Sequence, residues 1–335
     1  MKDKSYVYTI LAIVLTSVLS VGTFNFLIDP LWTFGANHEY NDVQTVINER
    51  QQKTNSIYFR EFEYDTLLLG SSRSTYINQY DFEGMNVYNY AVADMSFKEY
   101  NSFIEFAKEI KGGEFDRVII GVDFFKSSKK QSSTNITIDS YSNKTTESFY
   151  RYKNLISLDT LEYSIENFQM SREDKIVEDR NYNRFNVADA KQIDPDIKEK
   201  QTLEKIQKFK DEFFGDNYDY NPAFTESLRE LKENNPNTEF IVFTTPVYTG
   251  LYEAMVEEGQ LDDYHHWIED IVSVFGGVYH FMYPNSVTDN MDNYFDGHHF
   301  YPHVGTMIAK RISNSTEGVP DDFGIYIDTK SIPWE

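Results

Sequence analysis

Leu67-Leu68-Leu69-Gly70-Ser71-Ser72-Arg73-Ser74 joins a short apolar run to a glycine and two serines. A continuous apolar run of this length suits a strand buried on both faces. The glycine permits a tight turn, and the N–H groups that follow would point outward, where an oxyanion could sit. A strand ending this way delivers a hydroxyl to the rim of a sheet. Far along the chain, Asp296-Gly297-His298-His299-Phe300 places a carboxylate and an imidazole three residues apart, so both can face one pocket. Serine catalysis needs that pair: a histidine to take the hydroxyl proton and an acid to fix its tautomer.

The segments around the first run alternate in kind. Residues 64–69, 85–92, 117–123, 239–246 and 277–281 read as strands. Residues 96–110 repeat apolar residues at helical spacing, at Phe97, Tyr100, Phe103, Ile104 and Phe106-Ala107, and Gly112-Gly113 stops them. Helices are also expected over 43–62 (loosely), 155–170, 198–214, 224–233, 251–275 and 303–312. Strand, turn, strand, helix, strand is the order of an α/β domain with a parallel sheet. Regularity fails between 126 and 220, where 126–147 is rich in Ser, Thr, Asn and Lys and 172–196 is heavily charged. This region is expected to be an insertion or lid over the α/β core, or else a structureless tail.

Three expected strands end in polar residues: Ser71-Ser72, the segment from Asn89 to Ser96, and Asp123. Sites in open α/β sheets gather at the carboxyl ends of strands, which makes Asn89 and Asp123 candidates to line a substrate pocket. From the residues alone, either serine could be the nucleophile. A metal site drawn from Asp296, His299 and His303 is an alternative, but the required distant ligand has no visible spacing. The remaining histidines, His265-His266 and His280, fit a core or a surface better than a site.

Composition narrows the setting. The chain has 335 residues, 40% of them apolar, enough for a full core. A formal charge of -23 argues against binding nucleic acid, whose phosphates would be repelled. The absence of cysteine excludes thiol catalysis, disulfides and Cys-zinc sites. Lys2 and Lys4 precede an apolar run from about Tyr6 to Ile28, as long as the roughly 20 residues a spanning helix needs. Lysines on that side predict a cytoplasmic N-terminus and an extracellular remainder. A cleaved signal peptide is the competing reading, but no small-x-small site follows the run. Asp29-Pro30 would end the helix. The expected organisation is an anchor over 1–30, a membrane-proximal segment over 31–63, and an α/β domain over 64–335 with its insertion at about 126–220.

Taken together, Gly70-Ser71-Ser72 and Asp296-Gly297-His298-His299 resemble the nucleophile block and the Asp-x-x-His block of the SGNH (GDSL-like) hydrolase superfamily. The resemblance covers roughly 64–125 and 238–312. It implies a three-layer fold, with Ser72 as nucleophile, His299 as base and Asp296 as its partner. Asn89-Tyr90-Ala91-Val92-Ala93-Asp94 stands where the family carries its oxyanion glycine, and the best register puts Asp94 on that glycine. Gly121-Val122-Asp123-Phe124 keeps the glycine of the third block but has aspartate for asparagine, and an ionised aspartate cannot donate a hydrogen bond. The backbone amides of Ser72 and Asp94, helped by Arg73, are then the expected oxyanion donors. Gly-Ser-Ser-Arg behind one N-terminal anchor is similar to a bacterial surface subgroup that includes cell-wall polysaccharide O-acetyltransferases and the D-alanine-transfer protein of teichoic acid modification. That likeness implies an esterase or acyltransferase at the cell membrane, acting on a surface glycan or teichoic-acid-like acceptor. It also implies a membrane-bound protein as a possible acyl donor, and neither cofactor nor metal. The altered blocks leave a second expectation open, a non-catalytic scaffold in surface-polymer assembly.

Overall fold

The computed structural model describes residues 2–131, 137–173, 175–176 and 178–334, the side chains of Lys2 and Asp3 excepted. Part of the expected exposed loop over 126–147, residues 132–136, lies outside them. The chain forms two compact units: one from the residues up to Phe62 with Asp139–Lys191, the other from Glu63–Ile138 with Gln192–Glu335.

The second unit is built on a six-stranded sheet. Its strands are β1 (Thr66–Gly70), β2 (Val87–Asn89), β3 (Arg117–Val122), β4 (Glu239–Thr244), β5 (Gly277–His280) and β6 (Ile325–Asp328). They lie in the order β2-β1-β3-β4-β5-β6, parallel throughout except that β6 runs antiparallel on β5. Leu67–Leu69 and Val118–Ile120 have no exposed surface, as central strands covered on both faces require. The architecture is therefore mixed α/β with a mostly parallel central sheet. The edge strand β6 was not expected, because four residues of which only Ile327 is fully buried carry little periodic signal.

The crossover from β2 to β3 is the helix Tyr100–Lys111. It starts after a Ser96–Glu99 capping box, buries Phe103, Ile104, Phe106 and Ala107, and stops where Gly112 takes a left-handed φ of 73°. The expected helix over 251–275 is two, Thr249–Glu257 and Leu261–Phe275, separated at Gly259 with φ 80°. Likewise 155–170 is broken into Tyr150–Leu155 and Leu158–Glu173.

The insertion expected at 126–220 is not one body. Asp139–Lys191 belongs with the N-terminal unit, whereas Gln192 onward belongs with the sheet. The physical reason for the second half is the helix Pro195–Glu212, which turns Lys198, Thr202, Lys205 and Phe209 toward residues 292–298. These four positions recur every three or four residues, so they form one helix face.

The first unit begins with the helix Lys2–Ile28, whose segment Lys4–Ile28 is long and apolar enough to cross a membrane. Residues 31–63 are polar, and they are not a solvated spacer. The helix Glu49–Phe59 buries Gln51, Gln52, Lys53, Thr54 and Asn55. Each amide finds partners: Gln52 Nε2 donates to Pro30 O at 3.0 Å, Asn55 Nδ2 to Leu31 O at 2.9 Å, and Gln51 Nε2 to Thr145 Oγ1 at 2.7 Å. Asp29, with φ 48°, accepts the N–H groups of Thr33, Phe34 and Gly35. Buried polar groups satisfied in this way fix one geometry, since any other leaves them unpaired in a low dielectric. A two-stranded hairpin, Asn181–Tyr182 with Ala188–Asp189, completes this unit.

On the sheet unit the helix Pro302–Ile312 comes so close to the turn after β1 that a Cβ on Gly305 would lie 2.6 Å from Tyr76 O and 2.9 Å from Ile77 Cα. Backbone cannot swing aside as a side chain can. Gly305→Ala is expected to cost about 1–3 kcal/mol of stability, the usual range for overpacking. Gly113→Ala, where a Cβ meets nothing within 4 Å, should stay within about 0.5 kcal/mol of the parent. Urea unfolding of the two variants checks this.

Candidate functional site

The site begins at the carboxyl end of β1. Gly70 has φ 151° and faces Gly121 across the β1–β3 ladder. An ideal Cβ on either glycine would lie 2.2 Å from Ser74 Oγ. The two glycines thus leave the space into which the returning chain folds. That return is held by Ser74 N–H donating to Ser71 O at 3.0 Å and by Thr75 Oγ1 donating to Ser72 O at 2.6 Å. It sorts the two serines. Ser71 is buried and its hydroxyl has no partner among the described residues, while Ser72 Oγ lies 2.9 Å from His299 Nε2.

The second half comes from the loop after β5. Asp296 Oδ1 accepts the N–H groups of His298 at 3.0 Å and His299 at 2.7 Å, so the carboxylate organises its own turn. Gly297 takes φ 71° there and packs on Thr202. Asp296 Oδ2 lies 3.0 Å from His299 Nδ1, and the imidazole stacks on the Phe295 ring at 5.3 Å. Ser72, His299 and Asp296 are therefore brought together in one hydrogen-bonded series. Burial alone would raise the Asp296 pKa. The charge and hydrogen bond of His299, with His298 and Lys205 nearby, hold it well below the usual carboxylate range instead. A carboxylate kept ionised beside Nδ1 leaves Nε2 to accept the proton of Ser72.

His298 turns the other way. It is enclosed by the rings of Phe125 and Phe209, and burial, followed by the nearby Arg73 and His299, holds its pKa well below the ordinary value. His303 sits on the next helix, with Nε2 2.9 Å from Asn293 Oδ1.

The expected oxyanion donors divide. Asp94 has φ 58°, in the left-handed region that residues other than glycine seldom adopt. Its carboxylate pairs with Lys126. Neither the Ser72 nor the Asp94 N–H donates to an acceptor among the described residues, so both remain available to a ligand. Arg73 is not placed as a hole donor. Its guanidinium is 1% exposed, pairs with Asp123 Oδ1 at 2.8 Å and reaches Thr245 O at 3.5 Å. Asp123 also accepts from Thr245 Oγ1 at 2.5 Å and is equally withdrawn, so it does not line an open pocket. Asn89 departs from its expected role for the same reason. Fully buried, it donates to Ser74 O at 2.9 Å and Ile77 O at 2.8 Å, and so braces the turn that carries Ser72.

Two lysines that the sequence did not point to complete the surroundings. The buried Lys126 pairs with the exposed Asp94 carboxylate, and Lys205 lies 2.9 Å from Asp296 Oδ2, the oxygen that faces His299. Lys205 belongs to the face of the helix Pro195–Glu212 that also offers Thr202 to Gly297 and Phe209 to His298. The periodicity of that face was visible, but nothing local names the loop it meets.

Removing one partner of a buried ion pair strands the other charge. Arg73→Leu is expected to cost about 3–5 kcal/mol, and adding Asp123→Leu to recover much of it. Urea unfolding of single and double variants reads this, and additive losses would contradict it. For Asp296 the folded pKa lies below the unfolded one. Its ionisation therefore stabilises the fold above a pH of about 4 and ceases to do so as pH falls through the folded value. Asp296→Asn should be less stable than the parent at neutral pH, with the gap closing in acid, as thermal unfolding across pH will show.

No family model matches this chain, and no curated protein is significantly similar to it.

Proposed function

We propose that this protein is an SGNH-like serine esterase or O-acyltransferase held at the cell membrane by its N-terminal helix, with the sheet unit on the extracellular side. The observation that carries the reading is the series Ser72 Oγ, His299 Nε2, His299 Nδ1, Asp296 Oδ2, with contacts of 2.9 and 3.0 Å. The nucleophile after the first strand of a mostly parallel sheet, with the acid and base after a later one, supports the family resemblance and its three-layer fold. Lys2 and Lys4 at the start of the helix support the orientation.

In the first half-reaction Ser72 Oγ attacks the acyl carbonyl while its proton passes to His299 Nε2. Asp296 stabilises the imidazolium. The oxyanion is taken by the N–H groups of Ser72 and Asp94. Collapse breaks the bond to the donor oxygen, which leaves with the proton from His299, and Ser72 keeps the acyl group as an ester. In the second half-reaction a sugar hydroxyl or water gives its proton to His299 and takes the acyl group, restoring Ser72. Acetyl or a similarly small acyl group, on a surface polysaccharide or teichoic-acid-like acceptor, follows from the subgroup likeness. A membrane-bound donor suits an enzyme tethered beside the bilayer.

One observation favours a second reading. Asp123, which the resemblance aligns with the family's third-block asparagine, is buried in an ion pair with Arg73. A scaffold in surface-polymer assembly that keeps the fold without the reaction would tolerate the loss of that asparagine. The two readings part on a single experiment. Full-length protein is treated with a fluorophosphonate probe and assayed with a chromogenic acetyl ester, beside Ser72→Ala and His299→Ala. The parent should label at Ser72, and both variants should lose at least about 10³-fold in ester turnover. A folded parent that neither labels nor turns over would favour the scaffold.

A further inference from the structure

The helix that follows the break at residues 156–157 carries Leu158, Leu161, Ile165 and Phe168 at spacings of three and four, one stripe of an amphipathic helix. Phe168 packs edge-on against Phe24 of the N-terminal helix, with ring centroids 5.8 Å apart. Leu161 is half-buried, and the outer residues of the stripe are not covered. Leu158 is 74% exposed and Ile165 43%, and on the adjoining short helix and break Phe149 is 72% and Ile156 59% exposed. Soluble surfaces rarely gather so many large apolar side chains without an occupant.

The N-terminal helix gives the depth of this patch. Asn25 Nδ2 donates to Leu155 O at 3.0 Å and Ser157 O at 3.3 Å, and Leu155 O also lies 3.8 Å from the Cβ position of Gly22. Gly22 and Asn25 lie inside the apolar span Lys4–Ile28. At 1.5 Å per residue they sit about 4–9 Å below its end. That is also about the depth, 5–10 Å, at which interfacial amphipathic helices bury their apolar face. Asn25 is explained by the same placement. Backbone carbonyls at a helix break cannot remain unpaired where water is scarce, and a buried amide in the neighbouring helix supplies the donor.

We propose that residues 149–168 are a second membrane-contacting element, a seat that lies in the headgroup–acyl boundary beside the spanning helix and is covered by lipid. The seat rests on the reading that the helix Lys2–Ile28 spans the bilayer. It removes the freedom of a single-helix tether and holds its unit at a set depth and tilt on the membrane. Neutral lipid suits it, because Asp159, Glu162 and Glu166 share the same helix.

The chain has no cysteine, so single substitutions can be labelled uniquely. Leu158→Cys, Ile165→Cys, Phe26→Cys and Leu15→Cys are made in the full chain, labelled with an environment-sensitive fluorophore and reconstituted in phosphatidylcholine vesicles. The vesicles carry doxyl groups either shallow or deep in the acyl chain. The expected result is that the labels at 158 and 165 lose as much fluorescence to shallow doxyl as the label at 26, and resist aqueous iodide. The label at 15 should respond to deep doxyl. If 15 responds but 158 and 165 are open to iodide and deaf to doxyl, the seat is overturned and the anchor stands. If 15 does not respond, the anchor fails and the seat with it. If 158 resists iodide without lipid quenching and Leu158→Cys cross-links between copies, a second copy covers the patch and the seat is overturned.

Discussion

The close approach of β1 and β3 at Gly70 and Gly121 is the constraint on which the candidate site depends. With no Cβ on either glycine, Ser74 Oγ can enter between the strand ends, and the chain can turn back immediately instead of running on. That early turn is what leaves Ser71 inside and Ser72 on the rim. Asn89 then reinforces it from the end of β2, through its two hydrogen bonds to the carbonyls of Ser74 and Ile77. A serine in a looser turn would sample several rotamers, and its bond to His299 would be one state among many.

The electrostatics around the site run against the charge of the whole. The chain is acidic, with a formal charge of -23, yet Arg73, Lys126, Lys198 and Lys205 meet the carboxylates of Asp123, Asp94, Asp292 and Asp296 around the site. Each of these cations is matched by a carboxylate. Lys205 has the most direct consequence, because it and His299 share Oδ2 of Asp296. The helix that carries it also touches Gly297 and His298, which makes Pro195–Glu212 a brace for the acid–base loop.

The unit behind the N-terminal helix follows another logic. Its centre is a polar helix whose two glutamines and one asparagine hold Pro30, Leu31 and Thr145 in place. Hydrogen bonds in a low dielectric are directional, so such a core specifies a unique exit for the chain where an apolar core would tolerate slippage. An exit of this kind transmits the orientation of the helix to the unit it carries.

Local signals were enough for the alternation of strands and helices, for the apolar N-terminal span, and for the candidate pairing of the Ser71-Ser72 turn with the Asp296–His299 motif, within which the resemblance pointed to Ser72. Each of these is written in residues close together in the chain, or in a short motif with its own geometric meaning. The breaks at Gly259 and at 156–157 were less legible, because helical periodicity continues across them. The three-dimensional fold decided what depended on partners far away. Arg73 reads as a free cation beside a nucleophile until Asp123 is seen to claim it, and Asn89 reads as a pocket residue until the turn it braces is in view. Residues 31–63 carry only a loose helical period, and the burial of their polar side chains is set by carbonyls that only the folded chain brings to them. Lys205 shows the same division. Its place on a helix face is fixed by spacing, whereas its contact with Asp296, more than ninety residues ahead, exists only because the sheet brings the two segments together.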